Sequence, residues 1–246
     1  MTRIIVVLFC IVAFLSAGFK NQDKIKVLIL SGRNNHDWET TTPKLKSIYE
    51  KSGLFEVRVS EQPESLKPTE LKNYDVIVSN WNSFPEKDVR WSSELENALL
   101  NFVKRGGGFV TFHASTTAFF EWPEFKEIST GAWIDGTYHG KQGETEVNIQ
   151  NKRHPITKGM QDFTMEDELW INAERNPSFK ILGSATNKEL QEKGSKKQPA
   201  IMVKDYGKGR VFHTILGHGV KNMQNEDFQN LMVRATDWAA TGKVKQ

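Results

Sequence analysis

Three of the six histidines in this 246-residue chain share one setting. His36, His113 and His218 each come just after a strongly apolar run, residues 25–30, 108–112 and 210–216 respectively. Imidazole exchanges protons near neutral pH and is the commonest protein ligand for divalent metals. If the three runs are parallel strands of one sheet, the rings gather at its carboxyl edge, where open α/β sheets bind their ligands. His139 joins them as a candidate because Gly136 and Gly140 flank it and let backbone approach a ligand closely. His154 precedes Pro155 and suits a turn, and His213 is internal to a strand-like run, so both read as structural.

Carboxylates complete the inventory. Glu166-Asp167-Glu168 is a dense acidic cluster ahead of an aromatic, and Glu168 is the member best placed to orient a histidine, hold a metal or act as a base. A helix start or a solvated acidic loop explains the cluster equally well. Arg33 with Trp38, Trp81 and Trp133 offers a carbohydrate platform, because indole faces cover the C–H faces of sugar rings, although several of the seven tryptophans must belong to the core. The contact set for a sugar is therefore His36, Arg33, Trp38, Trp81, Trp133 and Ser115.

The elements that would position these groups alternate along the chain. Residues 25–30, 55–59, 74–79 and 109–112 read as strands. A helix is expected from Pro43 to Lys51 with proline at its first position, and another between residues 86 and 105, ended by Gly106-Gly107-Gly108. Alternating strands and helices imply right-handed crossovers and a doubly wound, mostly parallel sheet. Beyond residue 140 the pattern changes. Residues 144–150 alternate like a half-exposed strand, 179–184 form another, and 200–204 with 210–216 make a hairpin, so antiparallel strands are appended. A helix over residues 225–240 closes a single domain spanning 24–242.

Composition limits the chemistry. Residues 1–19 carry Arg3, an apolar stretch and then Ser16-Ala17-Gly18, the pattern of an export signal, with an apolar run shorter than the roughly 20 residues of a membrane span. No cysteine follows the small residues to accept a lipid. The expected product is periplasmic or secreted, without a stable membrane anchor. Cys10, the only cysteine, lies inside that signal, so the mature chain has no disulfide, thiol nucleophile or thiolate ligand. Losing Arg3 leaves 32 basic against 30 acidic residues, a formal +2, which argues against a nucleic-acid partner and for a small molecule.

At Gly106-Gly107-Gly108-Phe109-Val110-Thr111-Phe112-His113-Ala114-Ser115 a strand turns sharply into an expected helix, the geometry that presents a nucleophile in many hydrolases. Together with His154-Pro155-Ile156-Thr157-Lys158-Gly159, Asp167-Glu168-Leu169-Trp170, and Gly209-Arg210-Val211-Phe212-His213-Thr214 leading into Leu216-Gly217-His218, this stretch resembles the ThuA-like (trehalose-utilisation) proteins over about residues 24–240. The resemblance implies a flavodoxin-like sheet of the class I glutamine amidotransferase type and a role in carbohydrate catabolism, with oxidised (3-keto) disaccharides inferred from relatives. Those amidotransferases use an elbow cysteine and a distant histidine. This chain has His113 at the elbow and His218 near the partner position, so it is not a glutaminase.

Two mechanisms fit. In one, His113, His139 and His218 with Glu168 bind zinc or another divalent metal; in the other, His113, His218 and Glu168 work without a cofactor as acid and base on a keto sugar. Rival readings are a non-catalytic periplasmic carbohydrate-binding protein and a partner-binding descendant of an enzyme fold.

Overall fold

In a computed structural model, residues 23–129, 133–173, 175–192, 194 and 196–245 are described. The export signal expected at 1–19, with Cys10, lies outside them. Four strands, β1 (Ile25–Leu30), β2 (Phe55–Ser60), β3 (Val76–Ser79) and β4 (Gly108–Phe112), alternate with helices α1 (Trp38–Lys51) and α2 (Ser93–Lys104). Two-residue strands β5 (Tyr138–His139) and β8 (Trp170–Ile171) form a small sheet of their own. The antiparallel part comprises β6 (Gly143–Ile149), β7 (Phe163–Asp167), β9 (Lys180–Asn187), β10 (Gln198–Tyr206) and β11 (Gly209–Thr214). Helix α3 (Lys188–Glu192) follows β9, and α4 (Glu226–Thr241) closes the chain.

The nine-stranded sheet runs β2-β1-β3-β4-β11-β10-β9-β6-β7. Strands β2, β1, β3, β4 and β11 pair in parallel, and β10, β9, β6 and β7 continue antiparallel. The fold is the expected doubly wound, mostly parallel α/β sheet with appended antiparallel strands. β3 and β4 are buried along their whole length and β1 everywhere except Lys26, as strands covered on both faces should be, whereas β6 alternates between buried and exposed. Helix α4 packs on β3, β4 and β11 beside α1, and the Tyr49 hydroxyl accepts from Thr236 at 2.9 Å to join the two helices.

Two expectations are corrected. Helix α1 begins at Trp38, not Pro43, because the Asp37 carboxylate accepts from Thr40 N and caps the helix a turn earlier. Pro43 falls inside it, leaving the Glu39 carbonyl without its usual helical donor. The segment after the elbow is a five-residue 3-10 turn, His113–Thr117, rather than an α-helix. Strand β7 was not anticipated. Its alternating pattern is only five residues long and ends in the acidic cluster that reads equally well as loop.

His213 is buried within β11, with Nδ1 2.9 Å from Thr111 Oγ1. Burial, then the charge of His113, depress it to about 3. The native state therefore keeps it neutral while the unfolded chain protonates near 6.5, and its contribution to stability is lost as pH falls from 6.5 towards 3. Urea titrations should show this fall, roughly 3–5 kcal/mol at full extent, flattened in His213→Gln. An unchanged slope in the variant would contradict the assignment.

Candidate functional site

The switch in strand order beside β1 opens a crevice at the carboxyl ends of the parallel strands, and four loops deliver side chains into it. The loop after β1 supplies His36. Gly32, with φ +90°, lets that loop pass over Glu61, whose carbonyl oxygen would lie 1.7 Å from any added Cβ. The end of β4 supplies His113, held at φ +42°, a conformation costing a non-glycine residue about 1–2 kcal/mol. Ser115 pins this elbow from behind: its Oγ accepts from Phe112 N at 2.9 Å and donates to Phe112 O at 2.8 Å. It is fully buried, spends its hydroxyl on the elbow backbone and is absent from the pocket lining, so the structure places it in a structural role rather than at the expected substrate contact.

His218 follows β11 beyond Gly217, whose φ of +99° and contact with the Phe228 ring exclude a side chain there. Glu168 follows β7. Between them, buried Asp167 accepts from Gly217 N at 2.6 Å, Glu168 N at 2.8 Å and His218 N at 3.1 Å, locking both loops to one carboxylate. Burial pushes Asp167 upward, opposed by the charge of His113 and these three amides.

The rings converge. His36 lies 4.8 Å from His113 and 4.7 Å from His218 between centroids, and His113 lies 5.0 Å from His218. Glu168 joins them, with Oε1 3.6 Å from His113 Nε2 and Oε2 3.3 Å from His218 Nε2 and 3.2 Å from His139 Nδ1. Trp170 Nε1 donates to Oε1 at 3.2 Å. Burial alone would raise Glu168, but the hydrogen bond and charge of His113, with the charges of His218 and His139, hold it at about 2. Burial first, then the charges of His113 and His218, bring His36 down to about 3. Burial also lowers His218, helped by the charge of His113. The cluster thus pairs an ionised carboxylate with two imidazoles, His36 and His218, whose burial works against protonation.

Above it sits a pocket of about 210 Å³ whose lining includes His36, His139, Glu168, Phe84, Trp133 and Trp170. That is smaller than the roughly 300–1,000 Å³ of pockets for drug-sized ligands and suits a single sugar ring. Trp133 meets Trp170 edge-on at 5.3 Å and His139 at 5.7 Å, so its indole forms one wall.

Other expected contacts fall elsewhere. Trp81 is buried, stacked on Phe119 at 4.9 Å and packed edge-on against Trp91, and offers no face to a sugar. Arg33 reaches Glu86 at 2.8 Å and lies over the Trp81 ring, outside the pocket lining. Trp38 opens α1, half-buried, and is likewise absent from the lining. The sequence reading missed Phe84, Asn35 and Thr117 in the pocket, and Asn34, Asn82 and Gln142 behind it. The signal for Asn82 was the same as for the histidines, a polar residue just past a parallel strand.

A doubly wound α/β sheet carrying a histidine and carboxylate cluster at its carboxyl edge, with His113 at the sharp turn after β4, defines the class. A family model described as ThuA, trehalose utilisation, matches residues 26–239, and the chain belongs to that family. A solved ThuA-like protein from Parabacteroides merdae ATCC 43184 is 32% identical, with a TM-score of 0.79 over 91% of this chain and 92% of that one. A ThuA-like protein from Bacteroides uniformis ATCC 8492 is 19% identical, with a TM-score of 0.68 over 93% and 98% of the two chains. The fold also resembles part of a cold-adapted β-galactosidase from Rahnella sp. R3, at 14% identity and a TM-score of 0.58, over 87% of this chain and 31% of that one. No curated protein matched the sequence. The family ties the chain to carbohydrate metabolism.

Proposed function

We propose that this protein is exported and acts on a glycoside or an oxidised, 3-keto sugar, with the histidine and carboxylate cluster as its reacting machinery and a divalent metal assisting. The observation that carries the reading is the pocket: aromatic walls from Phe84, Trp133 and Trp170 above a floor formed by His36 and Glu168. Aromatic faces hold a sugar ring, and the imidazole edge of His139 stands beside it. A ketone acidifies the C–H bonds on the neighbouring carbons. Removal of such a proton by an imidazole gives an enolate, the common first step of isomerisation and of elimination at a neighbouring carbon. Glu168, held ionised, orients His139 for that transfer. Export rests on residues 1–19, and among the described residues no helix is long and apolar enough to cross a membrane.

The test is to incubate the chain from residue 20 onward with a panel of glycosides and their 3-keto forms, measuring binding by calorimetry and products by mass spectrometry. Conversion of keto forms supports the reading. Binding without conversion would replace it with a non-catalytic carbohydrate-binding protein, and neither binding nor conversion would overturn both. Trp133→Ala should weaken sugar binding about tenfold, as expected for losing one aromatic wall.

A further inference from the structure

The hydrogen-bond network behind the site fixes which imidazole nitrogens carry protons. Phe84 N donates to Asn82 Oδ1 at 3.1 Å, which orients the Asn82 amide. Its Nδ2 then donates to Asn34 Oδ1 at 2.9 Å and Asn35 Oδ1 at 2.8 Å, and the His36 backbone N–H also donates to Asn34 Oδ1. Both atoms facing His36 Nδ1, at 3.3 and 3.2 Å, are thus acceptors, and Nδ1 bears the hydrogen. His113 Nδ1 donates to the Ile215 carbonyl at 2.8 Å. In its neutral form each ring then has its lone pair on Nε2, and these two atoms stand 3.3 Å apart, partly buried. Lone pairs facing at that distance repel unless a proton or a cation lies between them.

We propose that His36 Nε2, His113 Nε2, His218 Nε2 and the Glu168 carboxylate form a centre for one divalent first-row transition ion, zinc being the reference case, open towards the sugar pocket. This deepens, and rests on, the reading of the same cluster as the reacting site. The four ligand atoms lie within 4.8 Å of one another. Ligands about 2.0–2.2 Å from a tetrahedral ion stand about 3.4 Å apart. Three of the six pairs of members approach to 3.3 Å (His36 to His113), 3.3 Å (His218 to Glu168 Oε2) and 3.6 Å (His113 to Glu168 Oε1).

The surroundings match as well. Metal-bound histidines donate their other N–H to a carbonyl or carboxylate, as His113 does to Ile215 and His36 to the asparagine oxygens. Gln142 meets His218 Nδ1 at 3.0 Å, and turning that amide over presents its oxygen, so Nδ1 carries the proton and Nε2 is freed. A majority of imidazole ligands selects transition ions over calcium and magnesium. His139 stands outside the set and reaches only Glu168 among its members, so His36 takes the place that the sequence reading gave to His139.

The experiment uses the chain from residue 20 onward, purified without an affinity tag, stripped with EDTA and titrated with zinc, manganese, iron(II) or cobalt chloride alone. Retained metal is read by plasma mass spectrometry and stability by thermal melting. One of these ions, with zinc as the first expectation, should be retained at one per chain after dialysis and raise the melting temperature. His36→Ala and Glu168→Gln should each weaken its binding at least about 100-fold, while His154→Ala, remote from the cluster, binds as wild type. Near-ultraviolet circular dichroism checks that the variants fold, and Glu168→Gln preserves shape should His36→Ala not fold. Retention of less than about a tenth of an ion per chain for all four metals would overturn the centre, as would wild-type affinity in His36→Ala. Metal binding without conversion of any sugar leaves the centre standing and defeats the sugar reading. Sugar conversion by a protein that retains none of the four metals does the reverse.

Discussion

Asp167→Ala is expected to destabilise the protein by about 3–5 kcal/mol and to disable the site with it, although Asp167 touches no ligand in this account. Its carboxylate is fully buried and is the acceptor for Gly217 N, Glu168 N and His218 N. Removing it strands three donors in the interior, at roughly 1–3 kcal/mol each before water recovers part of the loss. The loops bearing Glu168 and His218 are then no longer tied to one another. Asp167→Asn keeps one oxygen and should lose less. Urea denaturation measures both, and an Asp167→Ala variant within about 1 kcal/mol of wild type would show that the loops are held by packing alone.

Glu168→Gln has the opposite profile, with turnover of a 3-keto glycoside reduced about 100- to 10,000-fold and stability nearly unchanged. The substitution keeps the shape and the acceptor for Trp170 Nε1. It removes the negative charge that faces His113, His139 and His218 at 3.6, 3.2 and 3.3 Å. Without that charge the imidazoles lose the group that orients them and balances a cation. Steady-state kinetics with the two proteins decide it, and equal kcat values would remove Glu168 from the reacting machinery.

The parallel half of the fold was legible because β1, β3 and β4 are short, continuous, β-branched runs whose burial on both faces leaves little ambiguity. The same pattern placed His36, His113 and His218 at one edge, and the structure brings them within 5.0 Å of one another. Strand β7 was not legible, since Phe163–Asp167 alternates for only five residues and its last two are acidic. Asp167 was obscured for the same reason: a buried carboxylate and a solvated one look alike until the backbone amides that meet it are known. Trp81 and Trp133 were indistinguishable by residue type. The packing of Trp91 and Phe119 around Trp81 sent it to the core, whereas Trp133 stands beside the pocket.

The central claim is that the imidazoles at the elbow and at its partner strand act on a sugar. The most direct measurement is product formation from 3-keto glycosides by wild type, His113→Ala and His218→Ala, each checked for native circular dichroism. Conversion by wild type and its loss in both folded variants is the predicted result. Full activity in both variants would contradict the account.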